Sequence, residues 1–397
     1  MDETKSYRSV DSDNATMPAT PESLRSVGLT GGETADLGTG EPPAPPPPKA
    51  PLPPVDDPPE PGDIVDGYVV DRLIGKGGMG MVFQVRDPLT GKEAALKTLM
   101  LSADMSAEER EMHLSRFTNE AQIMWQLFDN RVDHVPHIFH MPKKPLGIIM
   151  ELLSQTTIED FIEKKRFTEP LSSRRERLVP LLAKVARTLA QAHKMGIIHR
   201  DLKPANIIIQ HGADDPKAQL VPVVVDFGIA KNPDRELTES QSLMGTPSYM
   251  SPEQLQGRTA QVDGRCDIFS MGMVLYRILT GEEFYGGVIN RSAPFFERIM
   301  AQVSLLEALE RGEGDGVKRL DKLPPPERTV VARCIAFSPE GRYETADQLA
   351  KALERLTDTV AEVAPTIADP PPPSDPLPAP PGATPPPSER GFPKGLL

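Results

Sequence analysis

Of 397 residues, 44 are proline and one is tryptophan, and the formal net charge is −13. The acids gather at the ends: residues 1–66 hold 13 against 4 bases and residues 358–397 hold 5 against 2, which leaves the middle at −1. Without a basic block, nucleic acid and anionic membranes are disfavoured as partners.

No run of about 18 apolar residues could span a bilayer, and the acidic start MDETKSYRSVDSDN lacks the apolar stretch of a signal peptide. Cys266 and Cys334 have no metal-ligand spacing and read as reduced thiols, so a cytoplasmic protein is expected. Prolines crowd residues 41–61 and 370–387, and such runs favour solvated polyproline II over a packed core. Residues 1–66 and 358–397 are therefore expected to be disordered tails around one folded domain at 67–357.

From Gly67 the texture changes. YVVDRLIG at 68–75, MVFQVRD at 81–87 and EAALKTLM at 93–100 predict three short strands of an antiparallel meander, separated by a glycine cluster and by the turn-forming PLTG. A helix follows, because Ser106 and Glu109 have capping-box spacing and Phe117, Ala121, Met124 and Phe128 recur at helical intervals. Glu120 falls on the apolar face of that helix, where a carboxylate needs a partner. LGIIMELL at 146–153 reads as a buried strand leaving this region.

Beyond it the pattern turns mainly helical. Leu178, Leu182, Val185, Leu189 and Ala192 form one stripe, with Gly196 as its stop. IIHRDLKPANIII at 197–209 then sets five polar residues between runs of isoleucine, and VPVVVDFG at 221–228 is a β-branched strand ending in an acid. DIFSMGMVLYRILTG at 267–281 is apolar almost all round, as a central helix would be, and RYETADQLAKALERL at 342–356 predicts a closing amphipathic helix. Residues 282–320 resist assignment, and HGADDPKAQLVP at 211–222 reads as an extended turn.

GKGGMGMV at 75–82 contains GxGxxG, whose glycines let backbone N–H groups approach a polyphosphate. A dinucleotide-binding fold would continue into a helix, whereas here a strand follows. Lys97 ends the third strand, and pairing it with Glu120 would satisfy the carboxylate and hold the ammonium against phosphate. Asn206 and Asp226 supply hard oxygen ligands suited to Mg²⁺ arriving on a nucleotide. Asp201 is a second acid that can accept a proton from an incoming hydroxyl.

GKGGMGMV, AALK, Glu120, HRDLKPAN, DFG and GTPSYMSPE stand in the order and rough spacing of eukaryotic-type protein kinases, and this chain resembles their bacterial serine/threonine members over about residues 67–357. The resemblance implies an α+β, bilobal fold: a small antiparallel sheet with one helix to about residue 153, then a larger, mainly helical lobe from about 154 to 357. It implies ATP and Mg²⁺ as cofactors, with Mn²⁺ as a substitute, and transfer of the γ-phosphoryl to protein serine or threonine. The glycine loop, comprising Gly75, Lys76, Gly77, Gly78, Met79 and Gly80, would cover the phosphates, and Met81 would also belong to the ATP site. Lys97 would hold the α and β phosphates, anchored by Glu120. Ile74, Val82, Ala95 and Ile208 would sandwich adenine, Met150 would stand behind it, and the Glu151 and Leu153 backbones would bond its edge. Asp201 would be the base, Lys203 would stabilise the transferring phosphoryl, and Asn206 and Asp226 would ligate the metal.

The same resemblance implies structural roles for His199, for a Glu253–Arg342 ion pair and for Asp267, which would brace the catalytic loop. Arg200 would meet a phosphate on the segment between DFG and SPE, where Thr238, Ser240 and Ser242 are the candidate phosphosites, while Thr246 would belong to the substrate groove. The proline-rich tails read either as solubilising ends or as ligands for a groove-bearing partner, through segments such as PLPP at 51–54. A pseudokinase scaffold is the alternative, but such proteins usually lose the lysine, the base or a metal ligand, and all are present here.

Overall fold

The computed structural model describes residues 58–77, 80–102, 104–164, 171–210, 220–227, 247–287, 289–290 and 292–363. Most of residues 1–66, Gly78, Met79, Thr238, Ser240, Ser242, Thr246 and the C-terminal tail from residue 364 lie outside the described residues.

The smaller part is a six-stranded antiparallel sheet in the order β1-β2-β3-β4-β6-β5. Its strands are β1 (Ile64–Val65), β2 (Tyr68–Lys76), β3 (Gly80–Arg86), β4 (Glu93–Leu99), β5 (Ile138–His140) and β6 (Gly147–Glu151). Period-two alternation sends β4 into two cores at once. Leu96 packs with Val70, Phe83, Val85 and Ile149 on one face, and Ala95 packs with Phe117, Met124, Ile138, Ile148 and Met150 on the other. Each large apolar side chain so buried contributes about 1.5–3 kcal/mol.

The second of these cores is closed by helix α1 (Ala107–Asp129), which starts with the capping box expected at Ser106 and Glu109. Phe117, Ala121 and Met124 are its buried stripe, and Phe128 packs partly buried beside them. The two shortest strands went unpredicted: β1 has two residues and β5 has three, too few to show a period.

The larger part is helical. Helix α2 (Ile158–Lys164) leads to α3 (Leu171–Lys194), whose predicted stripe is buried throughout, with Leu178 at 1% exposure and Leu182, Val185, Leu189 and Ala192 at 0%. Gly196 ends it at φ +75°, a left-handed conformation suited to glycine. A two-stranded ribbon follows, β7 (Ile207–Gln210) with β8 (Val221–Val224), in which Ile207 faces Val224. After the short α4 (Pro252–Leu255) comes α5 (Arg265–Thr280), buried without interruption from Cys266 to Leu279. Residues 282–320 resolve into α6 (Phe295–Glu310) and α7 (Gly314–Leu320), followed by α8 (Pro325–Cys334).

The closing helix α9 runs Ala346–Val363 and packs along α3. It starts four residues later than its amphipathic pattern predicts. Arg342 cannot join it, because its guanidinium is committed to Glu253 and to the carbonyls of Ala336, Arg265 and Phe337.

Candidate active site

The register of β4 against β3 and β6 sets Lys97 opposite Val82 and Ile148. From there its ammonium donates to Glu120 of α1 and to Asp226 Oδ1 at 3.1 Å. One cation thus joins three distant segments. Burial works against the Lys97 charge, but the carboxylates of Asp226 and Glu120 outweigh it and hold the group above the usual lysine range. Burial pushes the Glu120 carboxyl up, with Lys97 opposing it, while the same ammonium holds Asp226 below the ordinary carboxylate range. Only Asp226 has a well-exposed side chain, at 56%, against 18% for Lys97 and 13% for Glu120.

The isoleucine-flanked loop answers to the same logic. Ile197, Leu202, Ile207 and Ile209 are buried and fix the backbone on both sides of its polar residues. Asp267, fully buried at the start of α5, accepts hydrogen bonds from the backbone N–H groups of His199 and Arg200, both at 2.8 Å, and lies 2.8 Å from His193 Nε2. Burial would raise its pKa, but these bonds and the nearby imidazoles hold it below the ordinary carboxylate value. His199, at 0% exposure, lies with Nε2 at 3.1 Å from the Val225 carbonyl, and burial pushes its pKa down. It is a structural histidine, as the resemblance implied.

With the loop held, its chemistry-bearing atoms converge. Lys203 Nζ lies 3.0 Å from Asp201 Oδ2, and Asn206 Nδ2 donates to the Asp201 carbonyl at 2.9 Å and reaches its Oδ2 at 3.4 Å. The Asn206 carbonyl accepts from Val225 N–H at 3.0 Å, which ties this cluster to the segment carrying Asp226. Arg200 and Asp226 adopt φ of +62° and +56°, where non-glycine residues pay about 1–3 kcal/mol. Such outliers cluster at functional sites.

The remaining predicted residues divide by face. Val82 packs beside Ala95 and Met150, while Ile74, Leu153 and Ile208 are half-buried. Met81, one residue from Val82, packs on the other face of the sheet beside Val65 and Phe83, so its side chain is turned away from Lys97. Lys76 sits exposed at the end of β2. Glu151 already gives its backbone N–H to the His137 carbonyl at 2.8 Å. Gly77 N–H bonds the Gly80 carbonyl at 2.9 Å, and a Cβ on Gly80 would meet the Thr98 carbonyl oxygen at 2.2 Å, so only glycine fits there.

Three supporting residues escaped sequence reasoning. His193 is a further partner of Asp267; Gln254 donates to the Arg200 carbonyl at 2.9 Å; Ser154 ties the strand leaving the sheet to the Ile209 carbonyl at 2.6 Å. Only His193 left a signal, since a buried aspartate needs several donors and this polar group shares a helix with the apolar stripe.

Residues 68–353 match the protein kinase domain family. The chain is 32% identical over 313 residues to serine/threonine-protein kinase PknB of Mycolicibacterium smegmatis, covering 77% of this chain and 45% of that protein. It is 28% identical over 318 residues to serine/threonine-protein kinase A of Synechocystis, covering 77% and 56%. Among solved structures, the Mycobacterium tuberculosis PknI kinase domain is similar at 22% identity and a TM-score of 0.49, covering 75% of this chain and 99% of that one. The chain spans about half the length of the curated relatives it matches.

Proposed function

This chain belongs to the protein kinase family, and from that premise we propose that it transfers the γ-phosphoryl of ATP to serine or threonine hydroxyls of proteins. The observation that carries the reading is the Lys97 ammonium held between Glu120 and Asp226, on a segment whose backbone is bonded to the Asp201–Lys203–Asn206 cluster. No base, lysine or metal ligand is missing, which disfavours a pseudokinase scaffold.

Lys97 would bind the α and β phosphates, and the half-buried Ile74, Val82 and Ile208 with Ala95 would take adenine. Asp201 would orient the substrate hydroxyl and accept its proton at a carboxylate oxygen, while Lys203, 3.0 Å away, would meet charge on the transferring group. Positioning and charge neutralisation carry most of such a reaction.

The donor set fits a hard cation brought in with the nucleotide. Among the described residues no group of three or more His, Cys, Asp or Glu could hold a metal alone, and the Asp226 carboxylate and the Asn206 side-chain oxygen are hard donors that would hold such a cation together with the nucleotide phosphates. Mg²⁺, with Mn²⁺ as a substitute, would supply charge neutralisation there.

The Arg200 Nε is buried with no hydrogen-bond partner among the described residues, which supports a phosphate on Thr238, Ser240 or Ser242 as its counter-charge. No helix among the described residues is long and apolar enough to cross a membrane, and Cys266 and Cys334 are buried free thiols, which supports a reducing, cytoplasmic setting.

Incubation with labelled ATP and Mg²⁺ tests the reading. Incorporation into the native chain or a protein substrate, lost in Asp201→Asn, is expected; equal incorporation by both would refute it. Double replacement of Thr238 and Ser240 by alanine is expected to lower activity, and unchanged activity would remove them as the activating sites.

A further inference from the structure

On the outward side of α1 lies a groove of about 480 Å³ lined by Gln122, Trp125 and Gln126 with Phe139, His140 and Met141 of the β5 edge. Trp125 and Phe139 are 42% and 49% exposed, an unusual use of large aromatic surface. Trp125, Gln122 and Gln126 share one helix face at i, i+3 and i+4 spacing. Among the described residues, neither the indole N–H nor either carboxamide makes a hydrogen bond. The groove therefore offers flat aromatic surface and three free donor groups.

That combination selects its ligand. A polyproline II segment has no internal hydrogen bonds: its prolines supply apolar faces and bare carbonyls, but no N–H of their own. Aromatic-lined grooves with side-chain donors recognise such segments at low ordering cost. This chain carries them itself.

We propose that the C-terminal segment DPLPAPPGATPPP, residues 375–387, docks in this groove. Reach decides which part of the tail can do so. Arg187 of α3 holds Asp347 and Glu354 of α9, while Arg175 holds the Leu356 carbonyl, so α9 runs antiparallel to α3. The opposite end of α3 carries Thr188 and Gln191, which bind Asp133 just beyond α1. The tail thus departs roughly 26–30 Å from Asp133, counted from Thr188 and Gln191 back to Leu171 at 1.5 Å per residue, and the groove lies further on, beyond the end of α1. Drawn out at about 3.1 Å per residue, the 12 residues from Ala364 to Asp375 would reach roughly 37 Å. The nearer four-proline run, 370–373, falls short. Charge points the same way: Lys143 and Lys144, exposed just beyond Met141, would meet Asp375, whereas the proline stretch at 42–54 carries Lys49 in its middle.

Docking would brace α1, the helix that delivers Glu120 to Lys97. This consequence rests on the kinase reading; the docking itself does not.

Trp125 is the one tryptophan of the chain, so its fluorescence reports the groove without a label. The test uses the full chain and compares it with a variant carrying Pro376→Ala, Pro378→Ala, Pro380→Ala and Pro381→Ala. The variant is expected to show red-shifted emission and severalfold stronger quenching by acrylamide, reversed by adding a synthetic peptide of residues 375–387. Identical emission and quenching in the two chains would overturn the proposal. So would the same change produced instead by replacing Pro370 to Pro373 or Pro45 to Pro48. Shielding that disappears on dilution would assign the occupant to a second copy and overturn the intrachain contact. None of these readouts requires catalysis, so they fail independently of the phosphorylation assay.

Discussion

Arg342 and Lys97 each meet a carboxylate from a distant part of the chain, but they are completed to different degrees. A guanidinium has five N–H donors, and Arg342 uses all of them: two on Glu253 at 2.7 and 2.8 Å, three on the carbonyls of Ala336, Arg265 and Phe337. Both side chains are within 3% of full burial. An ammonium has three donors, and among the described residues Lys97 spends two, on Glu120 and Asp226. The Glu253–Arg342 pair closes its charges on itself, whereas the site between sheet and loop keeps donor capacity in reserve. A finished network stabilises; an unfinished one can bind.

The comparison breaks if mutations at the two places have the same kind of effect. The largest expected effect is on chemistry: Asp201→Asn keeps the shape of the loop but removes the proton acceptor, so phosphoryl incorporation should fall about 10²–10⁴-fold. The thermal midpoint should barely move, and an unfolded variant would defeat the comparison. Arg342→Ala should do the reverse. It strands Glu253 as a buried, unpaired charge, at a cost of about 3–5 kcal/mol, measurable by chemical denaturation. Replacing both partners by apolar residues should cost less than the sum of the single changes.

The acid limb of stability sharpens the contrast further. Burial holds the His199 imidazole below its ordinary pKa, and burial does the same to His113 and His134. An unfolded histidine takes a proton near pH 6.5, one that the folded chain refuses, so this stability is complete above about pH 6.5 and declines as pH falls below it. Asp267 contributes a second step. Its folded pKa is depressed, so its share persists above the unfolded value of about 3.9 and is lost as pH drops below that. Denaturation midpoints followed from about pH 8 to about pH 3 should show both declines. His199→Phe should shrink the first and reduce the second only in part, because His193 and the backbone N–H groups still hold Asp267 down after the His199 imidazole is gone.

How much of this was legible depends on whether a residue announces an unmet need. Glu120 did, because a carboxylate on an apolar helix face demands a cation, and Lys97 stood at a strand end able to supply one. Asp226 was placed as a metal ligand, yet its 3.1 Å contact with Lys97 depends on a left-handed backbone that no pattern encodes. Arg342 misled, since amphipathic periodicity runs through it into α9, while its five hydrogen bonds take it out of the helix. Strands β1 and β5 exist only because neighbouring strands complete them. The aromatic groove was invisible for another reason: Trp125 sits one turn before Phe128 but off the apolar stripe, and the chain pattern does not say that the β5 edge brings Phe139 beside it.

The smallest predicted effect concerns Ser106, whose hydroxyl accepts from Glu109 N–H at 3.1 Å while the Glu109 carboxylate accepts from Ser106 N–H at 2.7 Å. Ser106→Ala deletes one half of this reciprocal cap and should cost about 1 kcal/mol. Glu120 lies 14 residues further along α1, roughly 21 Å at 1.5 Å per residue, and is held there by Lys97 and by the buried Phe117 and Met124 beside it. Loosening the first turn should therefore lower the denaturation midpoint slightly and leave phosphoryl transfer nearly intact. Should activity fall far more than stability, the start of α1 must be coupled to Glu120 along the whole helix, and the reserve at Lys97 would be set by the helix as a unit and not by its local packing.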